Sequence, residues 1–186
     1  MVYKSNYFII KKALIYVCPC VLLFYSSCVT TRWTNDMTSS IFGKKIKLES
    51  IIHKYKHEAG GLFQWDVYSI TIYKITEKDN DYIKNQFDNI KNIYPIKPDF
   101  RHNWNVLYWK DTPMENEDKE LFYRYCLTYL SSIEIREYFD NAINEKNNYY
   151  CGFYKLSSLD SKFVPSLDFF VYIPDERVLI MIENMY

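Results

Sequence analysis

Apolar and polar positions alternate along this chain with two periods, and the switches between them outline its elements. Leu48, Ile51, Ile52 and Tyr55 fall at helical spacing within 47–58, and Gly60-Gly61 would stop that helix. Residues 65–75 are dense in β-branched and aromatic side chains, the composition of a strand. Thr76 and Asp79 then resemble a capping box ahead of an apolar stripe of Tyr82, Ile83, Phe87, Ile90 and Ile93, which Pro95 and Pro98 end. A short strand over 105–110 follows. Thr112-Pro113-Met114-Glu115 next reads as a helix start, with a capping Thr, Pro at the first helical position and Glu after it. Leu121, Phe122, Tyr125 and Tyr129 supply the buried face of that helix.

Ser131-Ser132 restarts a helix whose stripe is Ile135, Tyr138, Phe139, Ala142 and Ile143. The last third reads as strands over 148–156, 167–173 and 177–183. The short link Pro174-Asp175-Glu176 makes the final two an antiparallel hairpin. Both faces of these strands carry large apolar groups, so helices must cover at least one of them. The expected fold is α+β: an antiparallel β-sheet with helices packed on one face, forming a single domain over 44–186.

The amino terminus has a different pattern. Lys4, Lys11 and Lys12 precede an apolar run from Ala13 to Tyr25. At roughly 13 residues the run is short of the ~20 that a spanning helix needs. A basic region, a short apolar region and then small residues is the pattern of an export signal. It ends in Tyr25-Ser26-Ser27-Cys28, with Tyr25 standing where an aliphatic residue is usual. This stretch resembles the lipobox of bacterial lipoproteins. The resemblance implies a signal peptide over 1–27 and a lipid such as palmitate on Cys28. The location it implies is the bacterial cell envelope, with the protein membrane-anchored through its lipid and facing the periplasm or the outside. Residues 30–40 are rich in Thr and Ser, so 28–43 reads as a polar tether between lipid and fold.

Composition changes this picture little. Aromatics reach 19%, but Ile, Asn and Lys are abundant too, which points to codon bias before it points to an aromatic binding surface. Basic and acidic residues number 23 each, and loss of Lys4, Lys11 and Lys12 with the signal leaves 20 against 23, a net charge of −3. Interspersed, mildly acidic charge gives no footprint for a phosphate backbone, so nucleic acid is excluded as a partner.

The search for chemistry is mostly exclusion. Gly43, Gly60, Gly61 and Gly152 are the only glycines, and no dinucleotide fingerprint, phosphate loop or Gly-x-Ser-x-Gly elbow can be written with them. No cofactor is expected. His53 and His57, four apart, would share one face of a helix, and His102 or Asp66 would have to supply a third metal ligand. Lys54 and Lys56 beside them point to a solvated face, so no metal is assigned. Cys151, next to Gly152, is a nucleophile candidate if His102 lies beside it, and otherwise a core thiol. Cys126 and Cys151 are read as two buried thiols, with a disulfide as the alternative. Glu115, Glu117, Asp118 and Glu120 fit a charged helix start. Asp168 interrupts an apolar strand and either faces solvent or pairs with a base such as Arg177. The segment from Gly60 to Asp66, including Trp65, is either a flexible binding loop or a helix stop and strand entry.

The function expected from this pattern is a non-catalytic protein-interaction domain held in the envelope by its lipid. The alternatives are an envelope hydrolase using Cys151 or acidic groups, in a pocket uniting distant residues such as His102, Cys151 and Asp168, and an aromatic-lined binder of small ligands or glycans.

Overall fold

The computed structural model of the protein describes residues 34–61, 64–127, 132–157 and 166–185, without the side chains of 58–66. The expected signal, Cys28, Tyr129 and the first residues of the expected tether lie outside the described residues. The chain divides into two units, Met1–Met37 and Thr38–Tyr186. The described part of the first is a helical stretch over 34–37, and everything below concerns the second.

Six strands form one antiparallel sheet: β1 (Leu48–Gly61), β2 (Gln64–Ile75), β3 (Asn105–Asp111), β4 (Tyr149–Lys155), β5 (Ser166–Ile173) and β6 (Val178–Met185). Their order is β1-β2-β6-β5-β4-β3, so β6 slots between β2 and β5 and joins the β1–β2 hairpin to the other three strands. Among the described residues of this unit four helices accompany the sheet: α1 (38–42), α2 (Glu77–Ile93), α3 (Asn116–Cys126) and α4 (Ile133–Asn144). The α+β class and the antiparallel sheet agree with the pattern read from the sequence.

One face of the sheet receives α3 and α4. Phe169 of β5 meets Phe122 of α3 with ring centroids 5.1 Å apart, and Phe139, Ala142 and Ile143 of α4 join the same core. The other face is covered as well. Tyr172, of opposite parity to Phe169, meets Phe42 of α1 at 5.6 Å and Phe87 of α2 at 6.0 Å. Two covered faces explain why every residue of β5 after Ser166 is buried. A bulge in β3 between Leu107 and Lys110 lets one edge strand serve both layers. Leu107 packs into the α3–α4 core, whereas Trp109 stacks on Phe42 at 5.4 Å and donates from Nε1 to the Ile41 carbonyl at 2.8 Å.

Three local expectations are corrected. The stretch 47–58 is strand β1 rather than helix, paired with β2 from Leu48↔Ile75 to Gly61↔Gln64. The expected tether is helical from residue 34, and its end is core: Ile41 and Phe42 are buried, and Gly43 closes α1 at φ +73° with its N–H on the Ser39 carbonyl. The α3 helix begins at Asn116 rather than beside Pro113, because the Thr112 hydroxyl is taken up by the backbone of Glu145 and Asn148 instead of a helix end. Ser132, by contrast, caps α4 by accepting from the Ile135 N–H at 3.5 Å. Thr76 lies at the start of α2 without bonding its backbone; Asp79 instead accepts from the Lys47 N–H at 2.7 Å and from Lys44 Nζ at 2.8 Å. Burial opposes the charge on Asp79, but these bonds outweigh it and hold the carboxyl below its usual range. Among the described residues no helix is long and apolar enough to cross a membrane.

Candidate functional site

Alternation along β5 sends Asp168 to the same face as Phe170 and Tyr172, away from solvent, and it is 1% exposed. Its partner is Arg101 rather than Arg177, whose guanidinium instead lies 3.9 Å from Glu49. Arg101 arrives on a 3₁₀ turn, Asp99–Arg101, and donates from Nε to Asp168 Oδ2 at 2.8 Å and from Nη2 to Oδ1 at 3.4 Å. Its guanidinium lies 4.0 Å over the Trp104 ring and 3.9 Å from Glu183, which sits directly across from Asp168 on β6. Burial pushes the Asp168 carboxyl up to about 6, with Arg101 opposing and Glu183 reinforcing the rise. Burial raises Glu183 too, against Arg101 and a hydrogen bond from Ser69. Two carboxylates share one cation here, in an arrangement that clamps the 99–104 segment onto the sheet.

The catalytic grouping weighed from sequence is not assembled. The Cys151 thiol is completely buried on β4, and burial alone pushes its pKa well up, so it is a thiol and not a thiolate. His102 is exposed, with Nδ1 3.3 Å from the carbonyl of Asp99. Asp168 is engaged by Arg101. Cys126 and Cys151 are both free and buried; Cys126 belongs to the α3–α4 core, and Cys151 alternates to the opposite face from Tyr150 of that core.

The backbones of Trp65 and Asp66 belong to β2, opposite Gly60 and Ala59, and their side chains lie outside the described residues. The segment that begins at Gly60 is therefore part of a long hairpin, not a helix stop. His53 and His57 share a face of β1, but four strand residues separate them by about 13 Å, too far for one metal ion. Among the described residues no three His, Cys, Asp or Glu side chains gather to hold a metal.

Two groupings had no sequence signal. Lys110, turned toward α3 by the β3 bulge, bridges Glu115 at 2.5 Å and Asp118 at 2.8 Å, and the Tyr150 hydroxyl donates to the same Asp118 oxygen at 2.8 Å. The Asp118 bond, then the Glu115 bond, raise the Lys110 pKa against burial. The other is a groove of about 370 Å³ between the start of α4 and the β1–β2–β6 corner. Its floor is Ile72 and Val178, and Ile52, Ile135 and Tyr138 wall it. His53 also lines it, and His53 Nε2 is buried with no hydrogen-bond partner. Leaving such an atom unsatisfied costs about 1–3 kcal/mol. Two smaller cavities lie on the opposite layer: one of about 230 Å³ beside Tyr149 and the Lys84–Asp175 pair, and one of about 130 Å³ beside Gly43 and Tyr94.

Comparison of the chain with protein-family models, curated proteins and solved structures finds no match in any of the three.

Proposed function

We propose that this chain is a non-catalytic interaction domain of a bacterial envelope, tethered to a membrane surface by lipid on Cys28 and binding another protein. The observation that carries the non-catalytic part is the fate of its one nucleophile candidate. Cys151 is wholly enclosed with its thiol protonated, His102 is exposed on a surface turn, and Asp168 is held by Arg101. A hydrolase working through a cysteine nucleophile needs a thiolate that substrate can reach and a base within hydrogen-bond distance of it. The membrane part rests on Lys4, Lys11, Lys12, the short apolar run and Ser26-Ser27-Cys28. A lipid holds a water-soluble domain at a surface without spanning it.

Fractionation of cells expressing the wild-type chain and a Cys28→Ala variant tests the reading. Wild type in the membrane pellet, with the variant released or retained only as unprocessed precursor, is the expected result. A soluble wild-type chain would overturn the anchor and with it the envelope assignment.

A further inference from the structure

We propose that the outer edge of β1 docks a second copy of this chain. The two β1 strands pair antiparallel about a two-fold axis and continue two six-stranded sheets into one. This goes beyond the interaction reading and stands with or without a different protein partner, and with or without lipid on Cys28. β1 ends the strand order, and among the described residues it pairs with β2 alone. Every second residue of β1 therefore turns its N–H and C=O away from the sheet, a template for another strand. Edge strands of folded proteins are usually short or interrupted. β3, the opposite edge, has seven residues with a bulge among them. β1 has fourteen, and its two bulges are confined to the stretch before His53. From His53↔Ile72 to Gly61↔Gln64 its pairing with β2 runs unbroken. Ile51 and Ile52, just ahead of that run, are 54% and 55% exposed, so no described element covers this edge.

Charge selects both the partner and the register. A two-fold axis through the sheet keeps each residue on its own face, so residues that meet across it lie an even number of positions apart. The registers that engage seven or more residues of His53–Gly61 are centred on Lys56, His57 or Glu58. Centring on Lys56 sets two lysines directly opposite, and centring on Glu58 sets two glutamates directly opposite. Like charges so placed destabilise a strand pair. Centring on His57 puts Lys56 of each copy across from Glu58 of the other and Tyr55 across from Ala59, and it engages the whole run. The run is complementary to itself in its longest register. Lysines on an edge usually keep strands apart; here they reject the neighbouring registers.

The test treats cells expressing the full chain with a short bismaleimide and resolves the products on a denaturing gel. His57→Cys lies on the axis and is expected to give a covalent dimer well above the wild-type background. Lys54→Cys lies six positions from its own copy, about 20 Å along the strands, and is expected to give none. Sedimentation of the detergent-solubilised chain reads the charge match. Lys56→Glu should weaken the dimer about tenfold, and adding Glu58→Lys to it should restore wild-type association, with far-ultraviolet circular dichroism unchanged in both. A wild-type chain that stays monomeric at about 100 µM would overturn the proposal. So would equal cross-linking at the two cysteines, or a folded double variant that associates no better than Lys56→Glu.

Discussion

Asp168→Asn tests the Arg101 clamp most sharply, because the structure fixes the sign of its pH dependence. The carboxyl lies about 6 in the folded protein against 3.8 for an ordinary Asp, since burial outweighs the two bonds from Arg101. A carboxyl whose pKa is raised by folding binds its proton more tightly in the folded state. Its contribution is therefore fully present below pH ~4 and is lost as pH rises through about 6. The shift corresponds to about 3 kcal/mol at 1.36 kcal/mol per pH unit, an order-of-magnitude figure. Asn keeps the shape and one acceptor for Arg101 but does not titrate. The variant also carries a constant offset, since Arg101 keeps only Glu183, at 3.9 Å, as a counter-charge. Glu183 is raised in the same direction and shares Arg101 with Asp168, so the wild-type-minus-variant difference reports Asp168 together with its coupling to Glu183. Urea unfolding followed through the buried Trp104 and Trp109 at pH 4, 5, 6 and 7 supplies that difference. Wild type should gain on the variant by roughly 2.5 kcal/mol between pH 7 and pH 4. A flat difference, or one in which wild type gains as pH rises, would refute the reasoning and mean that Arg101 outweighs burial.

Two further substitutions or modifications probe the packing. Gly43→Ala forces a side chain into φ +73° and drives a Cβ into the Tyr94 ring, so it should cost about 1–3 kcal/mol by urea unfolding, with an unchanged midpoint contradicting the α1 terminus. Iodoacetamide followed by peptide mass mapping should leave Cys126 and Cys151 unlabelled in the folded chain and label both in denaturant. Rapid labelling of Cys151 in the folded chain would reopen the hydrolase reading.

The sequence was most legible where local pattern and tertiary packing agree. The stripes of α2 and α4, the strands β2 to β6 and the Pro174-Asp175-Glu176 hairpin all follow from residues close in the chain. β1 reads as a helix in sequence for a physical reason. Bulges between Leu48 and Ser50 and between Ile51 and His53 break the alternation there, which leaves Leu48, Ile51, Ile52 and Tyr55 at helical spacing by accident. The alternation of Lys54 and Lys56 with Tyr55 was the usable strand signal. α1 lay hidden in a Thr- and Ser-rich stretch because its partners come from elsewhere, chiefly Trp109. Thr112-Pro113-Met114-Glu115 carries the composition of a cap, but Asn148, 36 residues away, claims the hydroxyl.

The candidate sites were less legible than the fold. Asp168 could be flagged from its apolar strand, but its partner lies 67 residues earlier on a turn with no motif of its own. The His53 groove joins β1, β2, α4 and the β5–β6 turn, and no single segment announces it. Sites built from several elements at once leave no spacing to read.

The central claim, a lipid-held envelope domain, is tested most directly by the intact mass of the chain extracted from membranes. A chain beginning at Cys28 and heavier by covalently attached acyl groups, with the added mass confined to the Cys28 peptide, is the predicted result. A membrane-extracted chain that still begins at Met1, or one that begins at Cys28 without added mass, would contradict it.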